Sequence, residues 1–325
     1  TTLNKTDLIA EKDYLIAFQQ MVLDISFDFM KIEQENFDKR VNHLLEKMGS
    51  FFEVDRTYLF TLNYANHTMT YSHEWCNTGI NPEVGTVEEV PFEVFSWWLD
   101  QLNENNLAHV EDVKDMPAEA KEEQAQLRRQ HVQSLISVPI IVDGKIQAFI
   151  GIDSVKSSKK WTKENIELLY VMAKILSNGI AQINADIKIN FLAYYDSLTE
   201  LPNRLLLTKR LNQGIRHASR NNVPISILFI NLDGFKAIND TLGRSQGDEL
   251  LKQVAKRLLE AVSKYGMVSR VGGDEFIIYL NDYEAEENLD KIAAKVIDLF
   301  DQSFILNEQE YFVTASVGVS RSERW

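Results

Sequence analysis

The sequence is poor in several features that would have narrowed its function. It has one cysteine, Cys76, in 325 residues, which excludes an intrachain disulfide and fits a reducing, cytoplasmic location. It has no run of about 18 apolar residues and no signal-peptide pattern, so we expect no membrane-spanning segment. Basic residues are also scarce: 34 Lys and Arg against 48 Asp and Glu give a formal net charge of −14. That charge argues against nucleic acid or an anionic membrane as the main partner.

What is present is an ordinary globular composition, with 45% hydrophobic and 25% charged residues. This length and composition predict two soluble domains. The most informative stretch is 270–276, Arg-Val-Gly-Gly-Asp-Glu-Phe, followed by the apolar run 277–280. Two glycines between apolar residues predict a hairpin turn, because glycine reaches positive φ without steric cost.

The turn at Gly272 and Gly273 would present two carboxylates, Asp274 and Glu275. A turn without bulky side chains lets a phosphate chain approach the backbone, while a carboxylate holds the cation that neutralises it. Taken alone, the motif is more typical of a solvated hairpin tip than of a nucleotide site.

A second segment supports nucleotide chemistry. The apolar run 225–230 predicts a buried strand, and residues 231–240 predict a polar turn that leads into a helix. Asp233 lies where a metal ligand or a helix cap would be useful, and Lys236 can reach a phosphate. Asn239 and Asp248 carry the donor and acceptor groups that read the edge of a base.

Three blocks in this order resemble the GGDEF domain of bacterial diguanylate cyclases. They are Asp-Ser-Leu-Thr-Glu-Leu-Pro-Asn-Arg at 196–204, Asp-Gly-Phe-Lys-Ala-Ile-Asn-Asp at 233–240 with Gly247-Asp248, and Gly-Gly-Asp-Glu-Phe at 272–276. Three ordered blocks are far more specific than a single motif. The resemblance implies an α+β domain over 196–325, with a sheet like that of nucleotidyl cyclases and polymerase palms and with helices around it.

The resemblance also implies a reaction in which two GTP molecules, one on each of two facing domains, are joined into cyclic di-GMP with release of pyrophosphate. It implies Mg²⁺ or Mn²⁺ as the cofactor. The residues that the family pattern assigns are Asp274 and Glu275 for catalysis; Gly234, Phe235, Lys236, Asn239, Asp248, Gly272 and Gly273 for GTP; and Asp274 and the Leu232 carbonyl for metal. Asn231 stands at the position of a further family metal ligand, and Asp233 is an additional candidate ligand by its place after the strand.

The chain departs from the family pattern at three places. Asn231 stands where the family has a metal-binding aspartate, and its amide lacks the negative charge that a hard cation prefers. Ser263 and Gly266 replace the Arg-x-x-Asp of the product-inhibition site, so we expect no feedback site. The family's domain continues into another hairpin and a lysine-bearing helix, whereas this sequence stops at Trp325, and EAL-type phosphodiesterase domains often follow in the family.

Two functions therefore remain open. The first is a diguanylate cyclase that works with a weakened metal site. The second is a degenerate GGDEF domain that binds GTP and controls a partner or a downstream phosphodiesterase domain.

The first half predicts an α/β sensory module. Its pattern indicates a helical stretch over 7–52, strands at 56–60 and 69–75, helices at 91–102 and 117–129, and a hairpin of 134–142 with 146–152. The pieces 72–76, 133–139 and 151–153 resemble the GAF domains that precede GGDEF domains. The implied organisation is an N-terminal helix at 1–24, a GAF domain with an antiparallel sheet at 25–185, and the GGDEF domain at 196–325.

The ligand of a GAF domain here is unknown from sequence. His73, Trp75 and Cys76 are candidates for lining a ligand pocket, but period-two alternation favours sheet residues packed under a helix. Trp97 and Trp98 are adjacent, so on a helix only one of them can point deep into the core.

A proline-free helix over 162–195 joins the two domains. Its apolar residues are spaced alternately four and three apart, as in a coiled coil, which predicts a parallel homodimer; they are Leu169, Ala173, Leu176, Ile180, Ile183, Ile187, Asn190 and Tyr194. We expect the first turns to pack on the GAF sheet instead. Gly179 and Asn190 weaken the helix and the seam, which makes them candidates for a switchable joint.

Overall fold

The computed structural model describes residues 5–85, 89–280 and 289–322, with side chains described from residue 12. The chain divides into two compact units, Thr1–Asp186 and Ile187–Trp325. Both units are mixed α and β, which confirms the predicted fold class.

The first unit is built on a six-stranded antiparallel sheet with the strand order β3-β2-β1-β6-β5-β4. Its strands are β1 (Arg56–Asn63), β2 (Thr68–Cys76), β3 (Val90–Pro91), β4 (Ala108–Val110), β5 (Ser134–Val142) and β6 (Lys145–Ser154). Its helices are α1 (Lys5–Met30), α2 (Phe37–Phe52), α3 (Ser96–Asn105), α4 (Lys121–Arg129) and the first part of α5 (Lys163–Tyr194).

The two faces of this sheet carry different cores. Alternation along β1 places Leu59 on the face packed by α1, α2 and α5, in an aliphatic core. The same alternation places Tyr58 on the opposite face, under α3 and α4, in a core rich in aromatic rings. Trp98 is buried in this second core while Trp97 is only partly covered, as predicted.

Three predicted helices have different limits in the structure. The stretch 7–52 is two helices, because the chain turns at residues 31–36 and lets both α1 and α2 pack on the sheet. The helix expected from residue 91 begins only at Ser96, since Val90–Pro91 pairs with β2 and a 3₁₀ turn follows at Phe92–Phe95. The other predicted strands and the hairpin across residues 143–144 are confirmed. A third helix, the charged one predicted over 117–129, begins only at Lys121, because a 3₁₀ turn at Ala118–Ala120 precedes it.

The candidate pocket residues of β2 have structural roles. The Trp75 ring packs so closely under α2 that a Cβ on Gly49 would lie 2.1 Å from it. The His73 Nε2 atom lies 3.2 Å from Asp38 Oδ1 on α2. The Cys76 thiol is 3.9 Å from a backbone carbonyl of the following loop. The interpretation as sheet residues beneath a helix therefore holds.

Helix α5 changes character along its length. Its first half is buried in the aliphatic core, whereas Ile187 is 47% exposed. Gly179 has a packing role, because a Cβ there would lie 2.8 Å from the Phe29 ring of α1. The sequence analysis predicted no segment of this kind, yet α5 is long and apolar enough to span a bilayer, and 39% of its most apolar 18-residue window is buried inside the protein. One such helix is weak evidence for a membrane span.

The second unit has a four-stranded antiparallel sheet with the order β12-β7-β9-β8. Its strands are β7 (Ser226–Leu232), β8 (Gly266–Gly272), β9 (Glu275–Leu280), a small hairpin of β10 (Phe304–Leu306) with β11 (Gln309–Tyr311), and β12 (Ala315–Arg321). Its helices are α6 (Arg204–Asn221), α7 (Phe235–Leu242), α8 (Arg244–Val262) and α9 (Leu289–Asp298). The buried faces of α8 and α9 pack on the sheet and form the main core.

Candidate functional site

The Gly-Gly hairpin forms as predicted between β8 and β9. Gly272 has φ 149° and Gly273 has φ 52°, backbone conformations that side-chain-bearing residues rarely adopt. Gly272 lies opposite Glu275, so the turn is tight. This geometry places Asp274 at the tip of the hairpin and Glu275 at the first position of β9.

The hairpin tip meets the end of β7. The Leu232 N–H donates to the Asp274 carbonyl over 3.3 Å. One residue earlier, Asn231 lies directly between Glu275 on β9 and Ser316 on β12. Alternation along β7 turns Asn231 to the solvent-exposed face of the sheet. The strand register therefore brings four of the sequence-predicted residues, Asn231, Leu232, Asp274 and Glu275, to one end of the sheet.

Asp233 follows β7 and is held by two hydroxyl groups. Thr314 Oγ1 donates to its Oδ2 over 2.7 Å and Ser316 Oγ donates to its Oδ1 over 2.8 Å. Its backbone N–H donates to the Thr314 carbonyl. The hydrogen bonds from Thr314 and Ser316 lower the pKa of the Asp233 carboxyl. The carboxylate thus stays ionised, and it also fastens the turn to β12. Sequence reasoning missed Thr314 and Ser316.

Helix α7 begins two residues after Asp233, at Phe235. Gly234 has φ 70° and precedes the helix without offering a side-chain cap. The first N–H groups of a helix have no acceptor within it, and they attract anions. Those of Phe235 and Lys236 therefore suit a phosphate, and the exposed Lys236 side chain adds a positive charge at the same end.

Asn239 and Asp248 are brought together by the close contact of α7 with α8. The Asn239 side chain occupies the space beside Gly247, where a Cβ would lie 1.9 Å from its Oδ1 atom. Asp248 is the next residue on α8 and is exposed. The absence of a side chain at Gly247 therefore lets the Asn239 amide pack against α8 one residue before Asp248.

The donors around the hairpin are all oxygen atoms. Among the described residues no group of three or more His, Cys, Asp or Glu side chains forms a metal-binding cluster. The candidate set instead has two carboxylates, Asp233 and Asp274, together with the Asn231 amide and the Leu232 carbonyl. Hard divalent cations such as Mg²⁺ and Mn²⁺ take oxygen ligands of these kinds, so the donor set fits them, with less charge than an aspartate at 231 would give.

Arg270 fixes the Gly-Gly hairpin through hydrogen bonds to its backbone and to Asp196. The sequence analysis did not assign this role. Its Nε and Nη2 atoms donate to the Gly273 carbonyl over 3.0 and 2.8 Å. Its Nη1 atom donates to Asp196 Oδ1 over 2.8 Å. The Thr199 N–H and hydroxyl donate to that same oxygen. Burial alone would raise the pKa of Asp196, but the bonds from Thr199 and Arg270 outweigh it and lower the pKa.

The positions of the family's inhibition site lie at the far end of β8. Ser263 ends α8 and Gly266 begins the strand. A Cβ on Gly266 would lie 2.2 Å from the Tyr279 carbonyl oxygen. A side chain at 266 would therefore require the neighbouring strand backbone to shift.

Comparison with protein families finds two matches along the chain. The GAF domain model matches residues 36–180, and the model described as "Diguanylate cyclase, GGDEF domain" matches residues 193–324. The order agrees with the resemblance that the motifs indicated.

Several curated proteins are similar over part of their length. The bifunctional diguanylate cyclase/cyclic di-GMP phosphodiesterase MucR of Pseudomonas aeruginosa is 37% identical over 154 residues, which are 47% of this chain and 22% of MucR. The signaling protein YkoW of Bacillus subtilis is 34% identical over 162 residues, 50% of this chain and 20% of YkoW. The chain thus spans about a fifth of these relatives.

A solved GGDEF domain of the Pseudomonas aeruginosa protein TpbB is 32% identical and covers 39% of this chain and 75% of its own. Its TM-score is 0.38, so the fold assignment depends on the strand order and not on this likeness.

Proposed function

Because the chain carries a GAF domain followed by a GGDEF domain, we propose that it is a GAF-regulated diguanylate cyclase that condenses two GTP into cyclic di-GMP. The observation that supports this proposal most directly is the strand register at the end of β7. Asn231 and Glu275 lie side by side there, and the Asp274 carbonyl accepts a hydrogen bond from the Leu232 N–H. The phosphate-binding N–H groups of α7 begin at Phe235, three residues after Leu232.

In this proposal the chain's own residues bind and orient GTP. The N–H groups of Phe235 and Lys236 and the Lys236 ammonium hold the phosphates, and the glycine hairpin leaves room for them. Asn239 and Asp248 bind the guanine edge. Mg²⁺ or Mn²⁺ bound by Asp274, Asp233, Asn231 and the Leu232 carbonyl would neutralise charge on the phosphates.

The reaction needs two such half-sites that face each other. The 3′-oxygen of one GTP forms a bond to the α-phosphorus of the other, and the bond to the β-phosphate oxygen breaks to release pyrophosphate. Asp274 accepts the hydroxyl proton directly or through water, while Glu275 supports the metal and substrate. Repetition in the other direction closes the ring. Positioning and electrostatics supply most of the rate in such transfers.

Regulation would act through α5. Its second half carries exposed apolar residues that fit a parallel homodimer in the cytoplasm. A ligand of the GAF domain that changes the rotation or register of paired α5 helices would change how often two half-sites meet.

Asn231 favours one competing function, a catalytically silent GTP-binding regulator that controls a partner or a downstream phosphodiesterase domain. The amide removes one negative charge from the metal site. The experiment that separates the two functions is cyclic di-GMP formation from GTP and Mg²⁺, measured by chromatography for the unmodified chain and for Asn231→Asp. Asn212→Asp on α6 is the charge-matched control and Asp274→Asn the inactive baseline.

We expect product from the unmodified chain and, because the metal is held better, a rate increase of about tenfold or more for Asn231→Asp. Product from Asn231→Asp alone would establish the silent regulator. Absence of product from both proteins, with GTP still bound, would contradict the cyclase proposal.

A further inference from the structure

The aliphatic face of the first unit's sheet leaves an open groove of about 680 Å³ beside residues 180–184 of α5. Thr61 of β1 and Ala148 of β6 lie opposite each other in the strand register and line this groove. The next pair inward on the same face, Leu59 and Ile150, is fully buried in the core. The groove therefore forms where two small residues take the place of large ones. Its volume is in the range of about 300–1,000 Å³ that is usual for small-molecule sites.

Apolar side chains from two helices also line the groove. Phe37 comes from α2, and Ile180 and Ile183 come from α5. All three are only partly covered at the margin of the aliphatic core, so an apolar group in the groove would extend that core and leave water. Tyr64 lines the groove as well, with its hydroxyl donating to the Ile146 carbonyl over 2.7 Å.

A β-bulge directs a lysine into this groove. The register of β5 with β6 shifts by one residue between Ile140 and Ile141, which makes Gln147 an extra residue in β6. In a regular strand, alternation from Ala148 would turn Lys145 to the opposite face of the sheet. With the bulge, Lys145 lines the groove together with Gln147 and Ala148. Bulges that re-aim side chains in this way are common next to active sites.

The charges around the groove favour an anionic ligand. Lys145 forms no salt bridge with the residues that the structure describes. Asp38 also lines the groove, but its Oδ1 atom already lies 3.2 Å from His73 Nε2. Three amide side chains that can donate hydrogen bonds line it too: Gln34, Gln147 and Asn184. An unpaired cation and three amide donors thus surround an apolar space.

We propose that this groove binds a medium-chain carboxylic acid. Its carboxylate accepts a charge-assisted hydrogen bond from the Lys145 ammonium. Its alkyl chain lies against Phe37, Ile180 and Ile183, and the burial of each methylene group adds to the affinity. The inference does not depend on the proposed function, because all of these residues belong to the first unit.

The test is isothermal titration calorimetry of the full chain with sodium octanoate below its micelle concentration. 1-Octanol serves as the uncharged probe with the same chain length. We expect saturable one-site binding of octanoate, and binding of octanol that is about tenfold weaker or less, because the alcohol lacks the charge. Hexanoate should bind about 15-fold more weakly than octanoate, since each of the two missing methylene groups contributes about fourfold.

A matched pair of variants tests the role of the lysine. Lys145→Gln should weaken octanoate binding about tenfold and leave octanol binding unchanged, because only the charge-assisted bond is lost. Lys121→Gln makes the same change at an exposed position of α4 and should alter neither affinity. Equal octanoate affinity of the unmodified chain and Lys145→Gln, equal affinity for octanoate and octanol, or no saturable binding would each overturn the inference.

A second readout places the ligand without relying on the folding of Lys145→Gln. The δ1-methyl NMR signal of Ile183, identified by its loss in Ile183→Val, should shift when the unmodified chain is saturated with octanoate. The signal of Ile152, which is buried near the other end of β6 and is identified in the same way, should not shift. An unmoved Ile183 signal would overturn the inference. Octanoate binding to Ile187→Glu but not to the unmodified chain would show that a second copy covers the groove, and would overturn it as well.

Discussion

Replacing Arg270 with alanine should loosen the Gly-Gly hairpin without touching any group that faces the nucleotide. The guanidinium ties the Gly273 carbonyl to Asp196 through three hydrogen bonds of 2.8 to 3.0 Å. The Arg270 and Asp196 side chains are only 11% and 24% exposed, so water replaces these bonds poorly. The variant therefore removes a support that lies behind the site.

The local stability that Arg270→Ala removes can be worked out from these hydrogen bonds. A hydrogen bond to a charged group contributes about 1.5–3 kcal/mol, and bonds that share one side chain do not add. Thr199 still satisfies Asp196 in the variant, so we expect a local loss of about 2–3 kcal/mol. At about 1.4 kcal/mol per tenfold, amides of residues 266–280 should exchange with solvent roughly 30- to 150-fold faster, as measured by hydrogen–deuterium exchange mass spectrometry.

Two comparisons make this prediction refutable. Arg216→Ala on α6 removes the same charge at an exposed position of the unit and should leave exchange in 266–280 unchanged. In an Asp196→Asn background, Arg270→Ala should cost less by about 1 kcal/mol or more, because the ion pair is already broken. Equal losses in both backgrounds, or less than about threefold faster exchange, would refute the reasoning.

The effect also has a defined pH dependence. The folded pKa of Asp196 lies below its ordinary value, so its ionised form contributes stability above the unfolded pKa of about 3.9. That contribution is lost as the pH falls through the lowered folded pKa. The Arg270→Ala effect should therefore be complete at neutral pH and shrink in acid.

Two further variants test the nucleotide site and the dimer. Gly247→Ala should displace the Asn239 side chain and weaken GTP binding about tenfold in an equilibrium binding assay, because hydrogen bonds to the base are lost. Ser245→Ala on the same helix is the control. An unchanged GTP affinity of Gly247→Ala would exclude a role of Asn239 in binding guanine. Ile187→Glu should convert a dimer to a monomer in light scattering, whereas Ile189→Glu, outside the seam, should not; an unchanged mass for both would rule out the α5 seam.

The sequence predicted the parts of the site that depend on chain neighbours. The turn at Gly272 and Gly273 and the start of α7 after Gly234 follow from backbone preferences within a few residues. These local features are where the motif and the structure agree. The register that sets Asn231 beside Glu275 was found only in the structure, because it joins strands that are distant in sequence.

The missed features depend on contacts between distant parts of the chain. Asp196 and Arg270 are 74 positions apart, and Thr314 and Ser316 are more than 80 positions from Asp233. Asp196, Asp233 and Arg270 lie in recognised motif segments. Residue type alone did not show which distant residue each would contact. The signal available was an arginine directly before the glycine turn and an aspartate at the start of the first family block.

The same limit applies to the first unit. Alternation correctly placed His73 and Trp75 in a strand, but it did not say which face α2 would cover. The aromatic core formed on the other face, where cross-strand register stacks the rings of Phe60, Tyr71 and Phe149.

Helix α1 determines where an expressed fragment that contains the first unit should begin. The GAF family model begins at residue 36, yet Met21, Ile25, Phe29 and Ile32 are all at most 6% exposed in the aliphatic core. Side chains of this kind contribute about 1.5–3 kcal/mol each when fully buried. A fragment trimmed to the family boundary would expose the underside of α2 and α5 to water. The cooperative folding unit is therefore larger than the region that relatives share, and expression boundaries for this domain belong ahead of α1.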